Sequence, residues 1–98
     1  MKSGYVYIMT NKRNTVLYTG VASNLEQRLY QYKNRIFKNS FSARYNISKL
    51  VYLEIHECIE DAVFREMQIK NLLRRKKIAL IEKKNPEWKD LSAQILVK

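Results

Sequence analysis

Two short runs of β-forming residues, Tyr5-Val-Tyr-Ile-Met9 and Val16-Leu-Tyr-Thr-Gly-Val21, flank the polar stretch Asn11-Lys-Arg-Asn14. A connection of hairpin length makes these runs adjacent strands of one sheet. Side chains alternate along a strand, so Tyr5 and Tyr7 share a face, with Tyr18 and Gly20 on the neighbouring strand. Ser23 followed by Glu26 has the spacing of a capping box, which opens a helix through about Asn34. Leu25, Leu29, Tyr32 and Ile36 mark its buried stripe. Residues 35–47 read as a loop with local order, and Lys49-Leu-Val-Tyr-Leu-Glu-Ile-His56 as a third strand. A longer helix is expected from about Ile59 to Arg75, with Ile59, Ala62, Val63, Ile69 and Leu73 inward. Ile78-Ala-Leu-Ile81 belongs to another helix, ended by Asn85-Pro86, with Asn as cap and Pro in the first turn of the next segment. The order β-β-α-β-α-α fits an α+β fold: a three-stranded, mainly antiparallel sheet flanked by helices. The 98 residues make one domain, 1–98, the default expectation.

Several functional classes are excluded. Two glycines, Gly4 and Gly20, cannot build a phosphate-cradling loop. His56 is the only histidine and Cys58 the only cysteine, so no disulfide forms within the chain and no thiolate or histidine metal cage is available. Both sit at core or edge positions near one predicted strand end, poor ground for a nucleophilic triad. The absence of a disulfide points to a reducing cytoplasm. The apolar run at Tyr5–Met9 is too short for a signal peptide or a membrane span.

Charge is more informative. Residues 1–50 carry nine Lys and Arg against the single acid Glu26, and no carboxylate falls between Gln27 and Leu53. Arg28, Lys33, Arg35, Lys38, Arg44 and Lys49 alternate there with Tyr30, Tyr32, Phe37, Phe41 and Tyr45. Basic charge interleaved with aromatics suits a polyanion with stackable bases. The Arg74-Arg-Lys-Lys77 run has two readings: backbone contact, or cations favoured at a helix C-terminus by the macrodipole.

Glu66 stands in the apolar stripe of the long helix, where a carboxylate needs a partner or a cation. A structural ion pair with Lys70 and a metal-ligating role both fit. The three strand tyrosines fit a hydrophobic sheet face as well as a site, and Arg28 alone fits an ordinary surface position.

Taken together and in order, Tyr5-Val-Tyr7, Tyr18-Thr-Gly20, Arg28, Glu66 and Asn85-Pro-Glu-Trp88 resemble the GIY-YIG nuclease family, above all its small stand-alone bacterial members. The likeness covers residues 4–92 and includes Leu17–Leu29, Phe41-Ser-Ala-Arg44-Tyr-Asn46 and Arg65-Glu-Met-Gln-Ile-Lys70. The first motif reads Tyr-Val-Tyr rather than Gly-Ile-Tyr, and Tyr32 stands where many relatives have histidine. The same domain occurs in the excision-repair nuclease subunit, in homing endonucleases and in some restriction enzymes. The resemblance implies a phosphodiesterase that leaves a 5′-phosphate, with DNA or RNA as partner and no small-molecule cofactor. It implies Tyr7, Tyr18, Arg28 and Glu66 as catalytic residues. Gly20, Tyr32, Arg44, Lys70 and Asn85 would lie along the phosphate path, and Glu66 would hold a single Mg²⁺ or Mn²⁺. A non-catalytic nucleic-acid-binding module of the same fold is the alternative; a protein-interaction domain with incidental charge is a third.

Overall fold

The computed structural model describes residues 2–34 and 45–96. Three strands, β1 (Gly4–Thr10), β2 (Leu17–Ala22) and β3 (Lys49–His56), form one antiparallel sheet in the order β2-β1-β3. Helix α1 (Leu25–Lys33) comes after β2. Beyond β3 lie α2 (Ile59–Lys70), α3 (Arg74–Lys84) and a five-residue helix α4 (Ser92–Leu96). The expected sheet and β-β-α-β-α-α order are both present, with α4 as a short addition. None of the described helices is long and apolar enough to cross a membrane.

The central strand explains the layering. Every residue of β1 from Val6 to Thr10 is buried, so alternation sends apolar groups to both sides. Tyr7 and Met9 meet Leu25, Leu29 and Tyr32 of α1, with Ile95 of α4 at the margin. Val6 and Ile8 meet Ala62 and Ile69 of α2 and Ile81 of α3. The hairpin closes through Asn14, whose φ of 59° lies in the left-handed region that Asn tolerates. The Asn11 side-chain carbonyl accepts from the backbone N–H groups of Thr15 (2.8 Å) and Val16 (3.2 Å).

Several expectations change. The cap of α1 is Asn24, whose side chain accepts from Gln27 N–H at 3.0 Å; the Ser23 capping box does not form. The long helix expected to Arg75 stops at Lys70, and Leu73 is extended before α3 begins. Leu73 lies near the centre of the stripe at about 100° per residue, but the helix has already ended and the residue is exposed. Val63 is also exposed, lying about 80° off the stripe centre; Ala62, Glu66 and Ile69 form the buried face. The break turns the Arg74–Lys77 run into the opening of α3 rather than a helix C-terminus, so the macrodipole opposes these cations instead of favouring them. Asn85 does cap α3, but Pro86 enters a turn, and no helix starts until Ser92.

A bulge in β3 ties the C-terminal half to the sheet. Ile8 pairs with Tyr52 and Met9 with Leu50, leaving Val51 as the extra residue. Val51 and Tyr52 consequently both join the α2/α3 side of the core. The Val51 carbonyl accepts from Asn85 Nδ2 at 3.0 Å, and that amide group also donates to the Lys89 carbonyl and accepts from Lys89 N–H. Just beyond, Leu91 N–H donates to the Leu50 carbonyl (2.7 Å), while Leu50 N–H donates to Asp90 Oδ1 (3.1 Å). These bonds cover the free edge of β3.

At the other end of β3, Glu54 accepts from Tyr52, from Arg65 Nε at 3.1 Å to both carboxylate oxygens, and bonds His56 Nε2 at 3.0 Å. Burial works to raise the Glu54 pKa, but the Arg65, Tyr52 and His56 bonds outweigh it and bring it down to about 2. Burial, reinforced by the carboxylate, pushes Tyr52 up to about 12. A carboxyl with a depressed folded pKa stabilises the fold above its unfolded value near ~4.3. That contribution is lost as pH falls through about 2. Glu54→Gln is therefore expected to cost about 1 kcal/mol at pH 7, a Tm drop of about 4–8 °C. The deficit should shrink between about pH 4.5 and pH 2, as measured by thermal unfolding at stepped pH. An equal deficit at both ends of the acid range and at neutral pH would contradict this.

Candidate active site

The site starts from the absence of a side chain. Tyr7 and Gly20 are register partners on β1 and β2. A Cβ built on Gly20 would lie 2.5 Å from both Cζ and the hydroxyl oxygen of Tyr7. The Tyr7 ring thus lies directly across the glycine, and only glycine leaves it room. Tyr7 is 0% exposed, so its hydroxyl needs a partner within the protein. It finds one in Tyr32, with the two hydroxyl oxygens 3.0 Å apart. The rings of Tyr7 and Tyr32 meet edge to face at 6.2 Å, and Tyr18 meets Tyr32 the same way at 6.0 Å.

Arg28 and Tyr32 are one turn apart on α1 and share a face. The Arg28 charge acts on the hydroxyls of both Tyr7 and Tyr32. Four of the sequence-predicted residues, Tyr7, Tyr18, Arg28 and Tyr32, therefore form one cluster beside Gly20. Its electrostatics are dominated by burial. Burial raises Tyr7 despite the opposing Tyr32 hydrogen bond and Arg28 charge. Burial and Tyr32 raise Tyr18 against the fields of Lys70 and Arg28. Tyr32 is pushed up to about 12 by burial and Tyr7. For Arg28 burial is the largest influence and acts downward, but the Tyr7 and Tyr32 phenols outweigh it and hold the guanidinium above its ordinary value. All three phenols are protonated at neutral pH in this state.

Glu66 comes from the opposite side of the sheet. It lies on the inward face of α2, 9% exposed, and accepts from Lys70 Nζ at 3.1 Å. Lys70 is the link between the two sides, since its charge also acts on the Tyr18 hydroxyl. Beside Tyr18, Thr19 points to the α2 side, shared with Leu17 and Val21. Its Oγ1 is buried without a hydrogen-bond partner among the described residues. No group of three or more His, Cys, Asp or Glu gathers among the described residues. A carboxylate with an orphaned hydroxyl on the same side of the sheet suits a single hard cation that takes most of its ligands from water and substrate.

Asn85 is elsewhere: its amide is spent on Val51 and Lys89. Arg44 and Ile36 lie outside the described residues. An open hollow of about 710 Å³ near the start of α1, lined by Tyr5, Asn24, Leu53, Ile55 and others, includes none of the clustered residues. Sequence reasoning missed Thr19, whose only signal was its place between Tyr18 and Gly20. It also missed the second glycine contact: a Cβ on Gly4 would lie 2.4 Å from the Ala62 Cβ, so Gly4 sets how closely α2 approaches β1.

Residues 3–79 match the family described as the GIY-YIG catalytic domain. The chain belongs to the GIY-YIG family. That family is one of endonucleases, and its fold implies a nucleic-acid substrate. The chain is 37% identical over 87 residues to a UPF0213 protein of Syntrophus aciditrophicus, covering 89% of this chain and 98% of that one. To a UPF0213 protein of Clostridium perfringens it is 36% identical over 91 residues, covering 93% and 96%. The solution NMR structure of a UPF0213 protein from Bacillus halodurans is similar at a TM-score of 0.56 and 27% identity, over 93% of this chain and 95% of that one.

The Tyr7–Gly20 contact is testable by a double-mutant cycle. Gly20→Ala alone is expected to cost about 1–3 kcal/mol by overpacking. Introduced into Tyr7→Ala, the same change should cost little, because the ring it strikes is gone. Additive losses in denaturant unfolding would refute the contact.

Proposed function

We propose that this GIY-YIG chain is a metal-dependent DNA endonuclease, hydrolysing a phosphodiester bond to leave a 5′-phosphate. The observation that carries the reading is the convergence of Tyr7, Tyr18, Arg28 and Tyr32 at the edge of β2, with Lys70 linking that cluster to Glu66. Attack of water on phosphorus needs a proton acceptor, neutralisation of phosphate charge and support for the leaving oxygen.

Arg28 holds the phosphate, since a planar guanidinium offers two parallel donors to its oxygens where lysine offers a point charge. Tyr18, half-buried at the cluster margin, takes the proton of the attacking water as its phenolate, a form that the nearby Lys70 and Arg28 charges favour, and Tyr7 orients water or phosphate from the central strand. Tyr32 holds the Tyr7 hydroxyl, and Gly20, bare of a side chain, seats the Tyr7 ring beside the phosphate path. Glu66 would hold one Mg²⁺ or Mn²⁺, which when bound would neutralise phosphate charge. Arg44, Lys70 and the Arg74–Lys77 run track the polyanion, and Asn85 contributes by fixing the segment after α3 against the sheet.

Nicking of supercoiled plasmid with Mg²⁺ or Mn²⁺ tests the reading. Glu66→Gln, Tyr18→Phe and Arg28→Lys are each expected to lose about 100-fold or more in rate while remaining folded. Equal nicking by all four proteins would point to a contaminant, and salt-dependent binding with no cleavage of any substrate would favour the non-catalytic module. Because burial raises Tyr18, the wild-type rate should climb with pH through the neutral range, as a base with a high pKa requires. A flat profile would remove Tyr18 from that role.

A further inference from the structure

Glu66 and Lys70 are four residues apart on α2, a spacing that on an exposed helix makes a weak pair. This pair is asymmetric. The Glu66 side chain is 12% exposed and the Lys70 side chain 60%, with 3.1 Å between Nζ and Oε2. A carboxylate so far withdrawn from water needs positive charge beside it, and Lys70 is the only ion-pair partner found for it among the described residues. The lysine stem is long and largely in solvent, so the ammonium can leave without disturbing the core. Its charge also reaches the Tyr18 hydroxyl. The ammonium thus sits beside the one carboxylate proposed as a ligand and within range of the proposed proton acceptor.

We propose that Lys70 is a positioning residue, a built-in counter-ion that occupies the cation position at Glu66 and yields it when a divalent ion enters. This rests on the proposed role of Glu66 as metal ligand. Until a cation arrives, Lys70 satisfies Glu66 and keeps the carboxylate aimed out of α2. Metal and lysine then compete for one oxygen pair, so the free protein holds metal weakly. A cation accompanied by phosphate has the advantage, because the released ammonium gains the anion in place of the carboxylate. Metal loading is thereby coupled to the presence of substrate.

The test is Mn²⁺ binding to the whole chain without nucleic acid, measured by electron paramagnetic resonance titration, with circular dichroism to verify folding. Lys70→Gln is expected to bind Mn²⁺ about three- to tenfold more tightly than wild type, since the competitor is removed and the ligand kept. Lys70→Met serves as a second variant with the stem retained and should behave alike. Glu66→Gln should abolish this binding in either background. Unchanged or weaker affinity in both lysine variants, or no detectable Mn²⁺ in any of them, overturns the proposal. If unchanged or weaker affinity in the lysine variants comes with Glu66→Gln still abolishing wild-type binding, the metal reading survives and only the role of Lys70 fails. Wild-type affinity retained by Glu66→Gln sinks both.

Discussion

The hydrogen bond between the Tyr7 and Tyr32 hydroxyls, made over the bare backbone of Gly20, holds the site together. Placing a phenol in the middle of the central strand would be costly without a partner, because its hydroxyl leaves water entirely. Tyr32 supplies that partner from α1, and in doing so fixes the helix against the sheet. Asn24 sets where the helix begins, and Leu25 and Leu29 supply the apolar contact. Once α1 is placed, Arg28 is placed, since it lies one turn before Tyr32. A single polar contact inside an apolar layer thus positions the guanidinium.

The two sides of the sheet contribute different chemistry. The α1 side provides phenols and a guanidinium, all protonated at rest, and the α2 side provides the acid. β2 is a short edge strand, so a lysine at the end of α2 can bring its charge to the tyrosine side. The cluster rests with surplus positive charge and no ionised phenol, a state suited to meeting a phosphate. The rest of the chain stiffens this frame from a distance. The β3 bulge offers the Val51 carbonyl to Asn85, the 90–91 segment covers the strand edge, and Glu54 clips β3 to α2 through Arg65. Trp88 accepts a left-handed backbone, φ 56°, with its N–H on the Asn85 carbonyl and its indole on Glu82. These contacts give the Asn85–Trp88 motif a structural part in the fold.

Much of this was legible in the chain. Local patterns carried the three strands, α1, the shared face of Tyr5 and Tyr7, and the odd position of Glu66, because alternation and helical period report directly which way side chains point. Boundaries set by competition between neighbours were not. Ser23 and Asn24 are both good caps, and only the direction of approach of α1 chose between them. The helix break at residues 71–73 leaves no clear mark, since Leu72 and Leu73 continue an apolar period that packing of α3 interrupts. The bulge at Val51 is invisible for the same reason: β-branched residues suit regular and bulged strands alike.

The order of elements, the single carboxylate facing inward and the basic, acid-poor first half were determined by the sequence itself, since each arises from the period, polarity or charge of adjacent residues. The tertiary structure alone decided that Tyr32 completes the phenol cluster, that the charge of Lys70, paired with Glu66, also reaches Tyr18, and that Asn85 is occupied by backbone. Those outcomes depend on distances between groups mostly far apart in sequence, and on whether burial or a neighbouring charge prevails at each hydroxyl. Only the folded packing fixes either.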